Sequence, residues 1–218
     1  MEKKPVQKKL IRDDLREAYN QHAQERDASQ MEDWKIAERS IFLALLQREN
    51  RRTLLEIGAG TGRDSKFFLD NGLEPVCIDL SPAMVRLCRQ KGLTAQVMDI
   101  SDLSFPNDSF EAVYSFNSLL HLAKAEFSTS LRRIEKVLKP TGVAYLGVYG
   151  GYDFEGVWEQ DTYTPKRFFS FFSDEKIIQA VSQFFEILST RYIPTGSDEA
   201  LHFQSLTLRK RSPAQPAG

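Results

Sequence analysis

The sequence predicts an α/β fold, with a mostly parallel sheet, helices on both faces and an antiparallel strand at the C-terminal end. Three observations carry that prediction. Strand and helix signals alternate from residue 53 to residue 149, the pattern of βαβ units with right-handed crossovers. The first strand run ends in a cluster of glycines, as ligand-binding sheets of this kind do. Two β-like runs, 184–193 and 200–209, are joined by Pro194-Thr195-Gly196-Ser197-Asp198. That loop suits a hairpin, and an antiparallel pair fits the edge of a parallel sheet.

Taken in order, residues 10–48 read as mainly helical, with a break near 20–30. TLLEI (53–57) is a short apolar strand. A helix follows from Arg63 to Asp70 and is stopped by Asn71-Gly72. PVCID (75–79) is the second strand. Ser81 then supplies an N-cap, Pro82 a first helical residue, and Gly92 the stop. TAQVM (94–98) and EAVYSF (111–116) are the third and fourth strands. Phe127, Leu131, Ile134 and Leu138 recur at helical spacing, which makes 124–138 an amphipathic helix. Pro140-Thr141-Gly142 turns the chain into a fifth strand over 142–149. A loop rich in aromatic and acidic residues is expected at 150–165, and a helix over 174–183.

A chain of 218 residues suits one domain and can bury a full core without a disulfide or metal. Lys+Arg 29 against Asp+Glu 30 gives a net charge of -1, so nothing draws the chain to nucleic acid or an anionic membrane. No run of about 20 apolar residues exists to span a bilayer. Cys77 and Cys88 lie in apolar patterns outside any CxxC, as buried thiols of a reducing, cytoplasmic setting do. The basic start lacks the apolar stretch of a secretory signal. Residues 1–9 and 211–218 are expected as flexible tails flanking a domain at 10–210, in a monomer or homodimer.

The most informative stretch is Leu54-Leu55-Glu56-Ile57-Gly58-Ala59-Gly60-Thr61-Gly62. A dinucleotide fingerprint needs a small residue three positions after Gly60, where Arg63 stands. A P-loop needs Gly-Lys-Ser/Thr, which is also missing. Acids end three successive strands or their extensions: Glu56, Asp79 and Asp99. Asp79 is placed to accept two ribose hydroxyls, and Asp99 an exocyclic amine. Three acids around a glycine turn suit a nucleoside bearing a cationic group, such as S-adenosylmethionine. They disfavour a dinucleotide pyrophosphate, which Glu56 would repel. No metal site is expected.

With these residues in view, the segments LLEIGAGTGRDS, VCIDLSPAMV, MDIS with LSFPNDSFEAVYSFNSLLHL, and LKPTGVAYLGVY resemble the class I S-adenosylmethionine-dependent methyltransferases. The likeness is to the small-molecule type that includes quinone-biosynthesis enzymes, and it covers residues 50–150. It implies a Rossmann-like seven-stranded sheet whose last strand is antiparallel. It implies S-adenosylmethionine as cofactor and S-adenosylhomocysteine as product. It places Glu56, Gly58, Ala59, Gly60 and Gly62 around the methionine end. Asp79 takes the ribose, Leu80 and Met84 stand by the adenine, and Asp99 meets the adenine amine between Met98 and Ile100. Asn117 lines the reaction side, and Tyr19 closes over the cofactor. Residues 10–48 then form a helical lid, 50–150 the cofactor core and 150–175 an acceptor-side insertion.

The acceptor is expected to be a small metabolite or short modified peptide, methylated on oxygen or nitrogen, a carboxylate included. Carbon methylation of a quinone-type precursor is the nearest alternative. A tRNA-modifying role rests on the Lys-rich start and Arg209-Lys210-Arg211. A nicotinamide oxidoreductase, or a silent cofactor-binding partner, are readings of another class. His121 follows the fourth strand and is the candidate general base. Trp34, Tyr149, Tyr152, Trp158 and Tyr163 are candidate wall residues. Arg167, flanked by aromatics, is placed to hold an acceptor carboxylate or phosphate, against the plainer reading of a surface pair with Asp161 or Glu159. Eight of the Phe 15 lie after residue 150, which predicts an apolar acceptor wall around Arg167.

Overall fold

The computed structural model describes residues 3–196 and 200–211. Nine strands and seven α-helices follow one another in them. Before the sheet come α1 (Lys3–Gln21), α2 (Ala23–Ala28) and α3 (Asp33–Arg48). The alternating region is β1 (Thr53–Ile57), α4 (Arg63–Asp70), β2 (Glu74–Asp79), α5 (Pro82–Gln90), β3 (Thr94–Val97), β4 (Phe110–Phe116), α6 (Lys124–Val137) and β5 (Leu138–Gly150). Then follow β6 (Phe154–Val157), β7 (Phe168–Phe171), α7 (Asp174–Ser182), β8 (Phe185–Pro194) and β9 (His202–Lys210).

Seven strands form one sheet in the order β3-β2-β1-β4-β5-β9-β8. The first five run parallel, and β9 inserts antiparallel between β5 and β8. Strand order reverses between β1 and β4, so their carboxyl ends diverge into the crevice where such sheets bind ligands.

Local chemistry sets the boundaries. The Ser81 hydroxyl accepts from the Met84 amide at 3.2 Å, with Pro82 in the first turn of α5. Ser173 caps α7 in the same way. Period-two alternation sorts the strands between two cores. Leu54, Ala112, Tyr114 and Tyr145 face α3 and α4, where Phe42, Leu46 and Phe68 cover them. Leu55, Ile57, Val113 and Leu146 face α6 and α7.

Three expectations need correction. Helix α1 starts at Lys3, so most of the stretch read as a basic tail at 1–9 is helix. The expectation for 211–218 falls, apart from Arg211, outside the described residues, as do Ser197 and Asp198 of the hairpin loop. The aromatic insertion is not only loop: β6 and β7 pair antiparallel as a separate two-stranded ribbon, with Phe154 opposite Phe171 and Val157 opposite Phe168. Strand β5 also begins earlier than expected. Leu138 pairs with Phe110, and a bulge with Thr141 at φ 61 absorbs the Pro-Thr-Gly turn.

Candidate functional site

A cavity of about 890 Å³ opens at the carboxyl ends of β1, β2, β4 and β5. Its floor is Gly58 and Gly60, and α1 forms one wall through Ile11, Arg12, Leu15 and Tyr19. The ribbon strand β7 closes the opposite side through Phe168 and Phe169, next to Arg167.

The glycine loop is shaped by close packing as much as by turning. Gly58 has φ +71, and a Cβ there would lie 2.2 Å from the Ser118 Cβ. Gly62 has φ +79, and its Cβ would strike Leu93 and Cys88 at 2.7 and 2.9 Å. Gly62 therefore lets the loop pack closely against Cys88 of α5 and Leu93 beyond it. Arg63 instead turns outward to the carbonyls of Asp27 and Ser29, at 2.8 and 2.6 Å, and ties α2 to the loop.

Asp79 ends β2 inside the cavity. Its Oδ2 accepts from the Gly60 amide and its Oδ1 from the Ser81 amide, both at 2.8 Å. Each oxygen keeps a lone pair for a further donor. Burial pushes its pKa up to about 6, against the opposing pull of the two amides and Arg26. Leu80, Met98, Asp99 and Ile100 continue the same wall. Asp99 is already engaged: Arg12 Nε lies 2.7 Å from its Oδ2, and the Ser101 amide donates to its Oδ1. Arg12 also reaches Glu126, so α1 is clamped over this end by one guanidinium. Asn117 stands at φ 56, the left-handed backbone conformation that Asn adopts more readily than most non-glycine residues, and its buried Oδ1 has no protein partner. An orphaned acceptor inside the cavity is a place for a ligand donor.

At the other end one hydrogen-bonded chain links three elements. The His121 Nδ1 lies 2.8 Å from the Phe168 carbonyl, which can only accept, so Nδ1 carries the proton. Nε2 therefore accepts from the Tyr19 hydroxyl at 2.7 Å. The Tyr19 oxygen accepts in turn from Arg167 Nη1 at 3.2 Å. Arg167 Nε and Nη2 grip Asp161 in bidentate fashion at 2.9 and 2.7 Å. Burial pushes Asp161 up, but the bonds from Arg167 outweigh it and hold the carboxyl below its ordinary range. Burial drives His121 down to about 3, so the imidazole is neutral near pH 7.

The cavity thus gathers Tyr19, Gly58, Gly60, Asp79, Leu80, Met98, Asp99, Ile100, Asn117, His121, Tyr149 and Arg167. Eight expected site residues do not line it; among them Tyr152 packs edge-on against Phe171, and Tyr163 stacks on His22. Glu56 alternates to the α3/α4 face, opposite Tyr114, and bonds Ser65 beneath the loop. Burial there, then the nearby Asp64, raises its carboxyl well above the ordinary range. Ala59 packs against α5, and Gly62 caps α4. Met84 packs with Ala23 and Leu87 between helices. Trp34 lies on Phe203, with ring centroids 4.8 Å apart. Trp158 stacks edge-on against Phe154 and Phe171 within the ribbon. The phenylalanine surplus is likewise mostly core: Phe185 and Phe203 are fully buried, and only Phe168 and Phe169 of the late eight reach the cavity.

Sequence reasoning missed Arg12, Arg26 and Lys35. They lie on helices where charge reads as solvated surface, and nothing local marks them. The Arg209-Lys210-Arg211 run is spent on Glu49, Asp108 and the Ser182 carbonyl. No described helix is long and apolar enough to cross a membrane.

A Rossmann-like sheet with a carboxylate beside a glycine turn at its switch point is the architecture of nucleoside-cofactor-binding proteins. Residues 54–142 match the family model described as a methyltransferase domain, and the chain is similar there to the S-adenosylmethionine-dependent methyltransferases. It is 27% identical over 156 residues to a malonyl-(acyl-carrier protein) O-methyltransferase of Halorhodospira halophila, covering 67% of this chain and 52% of that protein. The chain spans about half the length of that relative. A solved Burkholderia thailandensis 1,6-didemethyltoxoflavin-N1-methyltransferase, with its acceptor and S-adenosylhomocysteine bound, has the same fold. Its TM-score is 0.67 at 20% identity, over 91% of this chain and 88% of that one. The (4+2)-cyclase SpnF also matches, with TM-score 0.62 at 20% identity over 75% and 76%. The fold alone therefore does not fix the reaction.

Proposed function

We propose that the chain binds S-adenosylmethionine and transfers its methyl group to oxygen or nitrogen of a small acceptor. The observation that carries this is Asp79 beside Gly60, at the switch point of the sheet, in a cavity of about 890 Å³. Asp79 would hold the ribose hydroxyls, and Leu80, Met98 and Ile100 give the adenine an apolar slot. The orphaned Asn117 acceptor and the small Gly58–Gly60 floor suit the methionine portion. The cofactor supplies a methyl group on a sulfonium. The protein's part is to align that group with the acceptor and keep water out, which supplies much of the rate of an in-line displacement.

Tyr19, fixed by His121 and Arg167, closes the site from α1. His121 then acts by positioning Tyr19 rather than as a base, because both its nitrogens are engaged. That arrangement disfavours carbon methylation, which needs proton removal. Methylation of oxygen agrees with the name of the Halorhodospira relative.

Calorimetry with S-adenosylhomocysteine and with NAD tests the reading. Binding of the former and none of the latter is expected; the reverse overturns it. Arg167→Ala should raise the acceptor KM far more than the cofactor KM, and an unchanged acceptor KM removes Arg167 from the acceptor site.

A further inference from the structure

We infer that the acceptor is an organic carboxylate, held by the guanidiniums of Arg26 and Arg167 beside Tyr19 and methylated on oxygen without a protein base. This deepens the methyl-transfer reading and rests on it.

The charge distribution at the acceptor end supports it. Arg26 and Arg167 both lie against the Tyr19 ring, 5.3 and 5.5 Å from its centroid. Arg167 is neutralised by Asp161. Arg26 donates to the Tyr163 hydroxyl at 3.1 Å, and among the described residues no carboxylate lies within ion-pair distance of it. A guanidinium that feels the Asp79 charge but makes no contact ion pair, beside the apolar wall of Phe168, Phe169 and Tyr149, suits a ligand with an anionic head and an apolar body.

The second support is that the imidazole and each carboxylate lining the cavity among the described residues already hold a hydrogen bond or ion pair. His121 gives one nitrogen to Phe168 and the other to Tyr19. Asp79 takes two backbone amides. Asp99 and Glu126 pair with Arg12, and Glu155 accepts from the Lys124 amide at 2.9 Å. A phenol or ammonium acceptor must lose a proton to become nucleophilic, whereas a carboxylate near pH 7 has already done so. The carboxylate oxygen forms a bond to the methyl carbon while the carbon–sulfur bond breaks and its electron pair leaves on sulfur. No proton moves, and the products are a methyl ester and S-adenosylhomocysteine.

The test is calorimetry on the full chain saturated with S-adenosylhomocysteine. The probes are phenylacetate and the straight-chain acids from butyrate to decanoate, each against its amide, with phenethylamine and 4-ethylphenol beside them. At least one acid should bind at least tenfold tighter than its amide. Arg26→Gln should erase most of that difference while the S-adenosylhomocysteine Kd stays within about twofold, which also shows that the variant folds. Mass spectrometry with S-adenosylmethionine should then find the methyl ester of the tightest acid. Equal binding of acids and amides, no binding of any acid, or a preference for the amine or phenol overturns the inference. So does an Arg26→Gln variant that weakens S-adenosylhomocysteine as much as the acid, since Arg26 would then serve the cofactor's own carboxylate. A chain that binds no S-adenosylhomocysteine overturns the methyl-transfer reading as well; binding without acid preference overturns this inference alone.

Discussion

Lowering the pH from 7.5 to 5 should weaken cofactor binding about tenfold through Asp79. A ribose hydroxyl donates to a carboxylate far better than to a carboxylic acid, which has lost acceptor capacity. Burial lifts the Asp79 pKa to about 6, and Gly60, Ser81 and Arg26 only partly oppose it. At pH 7.5 nearly every free molecule therefore carries the carboxylate. At pH 5 about one in ten does, so binding that requires the anion loses about a factor of ten, or about 1.4 kcal/mol. His121, driven down to about 3, does not titrate in this interval. The sign for the ligand-free protein is opposite. A carboxyl raised on folding binds its proton more tightly folded than unfolded. Its contribution to stability is therefore present at low pH and is lost as pH rises through about 6. The assay is calorimetry with S-adenosylhomocysteine at half-unit steps from pH 5 to 7.5, with Asp79→Asn as control. The wild type should show affinity rising to a plateau near pH 7. The variant should bind weakly and without that slope. A flat wild-type profile, or a slope retained by Asp79→Asn, refutes the assignment.

Three further outcomes are expected. Gly58→Ala forces a side chain into φ +71 and within 2.2 Å of Ser118, so it should cost about 2–4 kcal/mol, read from the denaturation midpoint. A loss under about 0.5 kcal/mol would show that the loop relaxes freely. Glu38 is 4% exposed and accepts from Tyr145, Arg191 and Ser205 at 2.9, 2.8 and 2.5 Å, joining α3 to three strands. Glu38→Ala should destabilise by about 2–4 kcal/mol, since two buried hydroxyls lose their acceptor while the partly exposed Arg191 can hydrate. His121→Gln should lower kcat modestly and leave the pH–rate profile without a new limb between pH 5 and 8. A wild-type limb near pH 6–7 that disappears in the variant would restore His121 as a base.

Much of the fold is legible in the chain because each signal is local. Ser81-Pro82 caps its helix, Asn71-Gly72 stops another, and short apolar runs can only be strands once helices alternate with them. The ribbon of β6 and β7 is not legible, because its pairing depends on chain 10 or more residues away and on aromatic faces that read equally as loop or core. For the site, Asp79 and the glycines follow from sequence, since a strand end and its turn fix where they stand. Glu56 does not: one residue of strand alternation sends its side chain under the sheet instead of into the crevice.

The sequence by itself determined the order of elements, the crevice at the strand ends and the place of Asp79 in it, all of which follow from backbone periodicity and turn chemistry. Only the tertiary structure decided which charges meet. Arg26, Tyr19, His121 and Arg167 come from segments up to 148 residues apart in the sequence and meet because α1, α2 and the β6/β7 ribbon close over one cavity. Their pairing decides that His121 has no free nitrogen and that Arg26 makes no contact ion pair among the described residues, and side-chain contacts at that sequence separation leave no periodic trace in the chain.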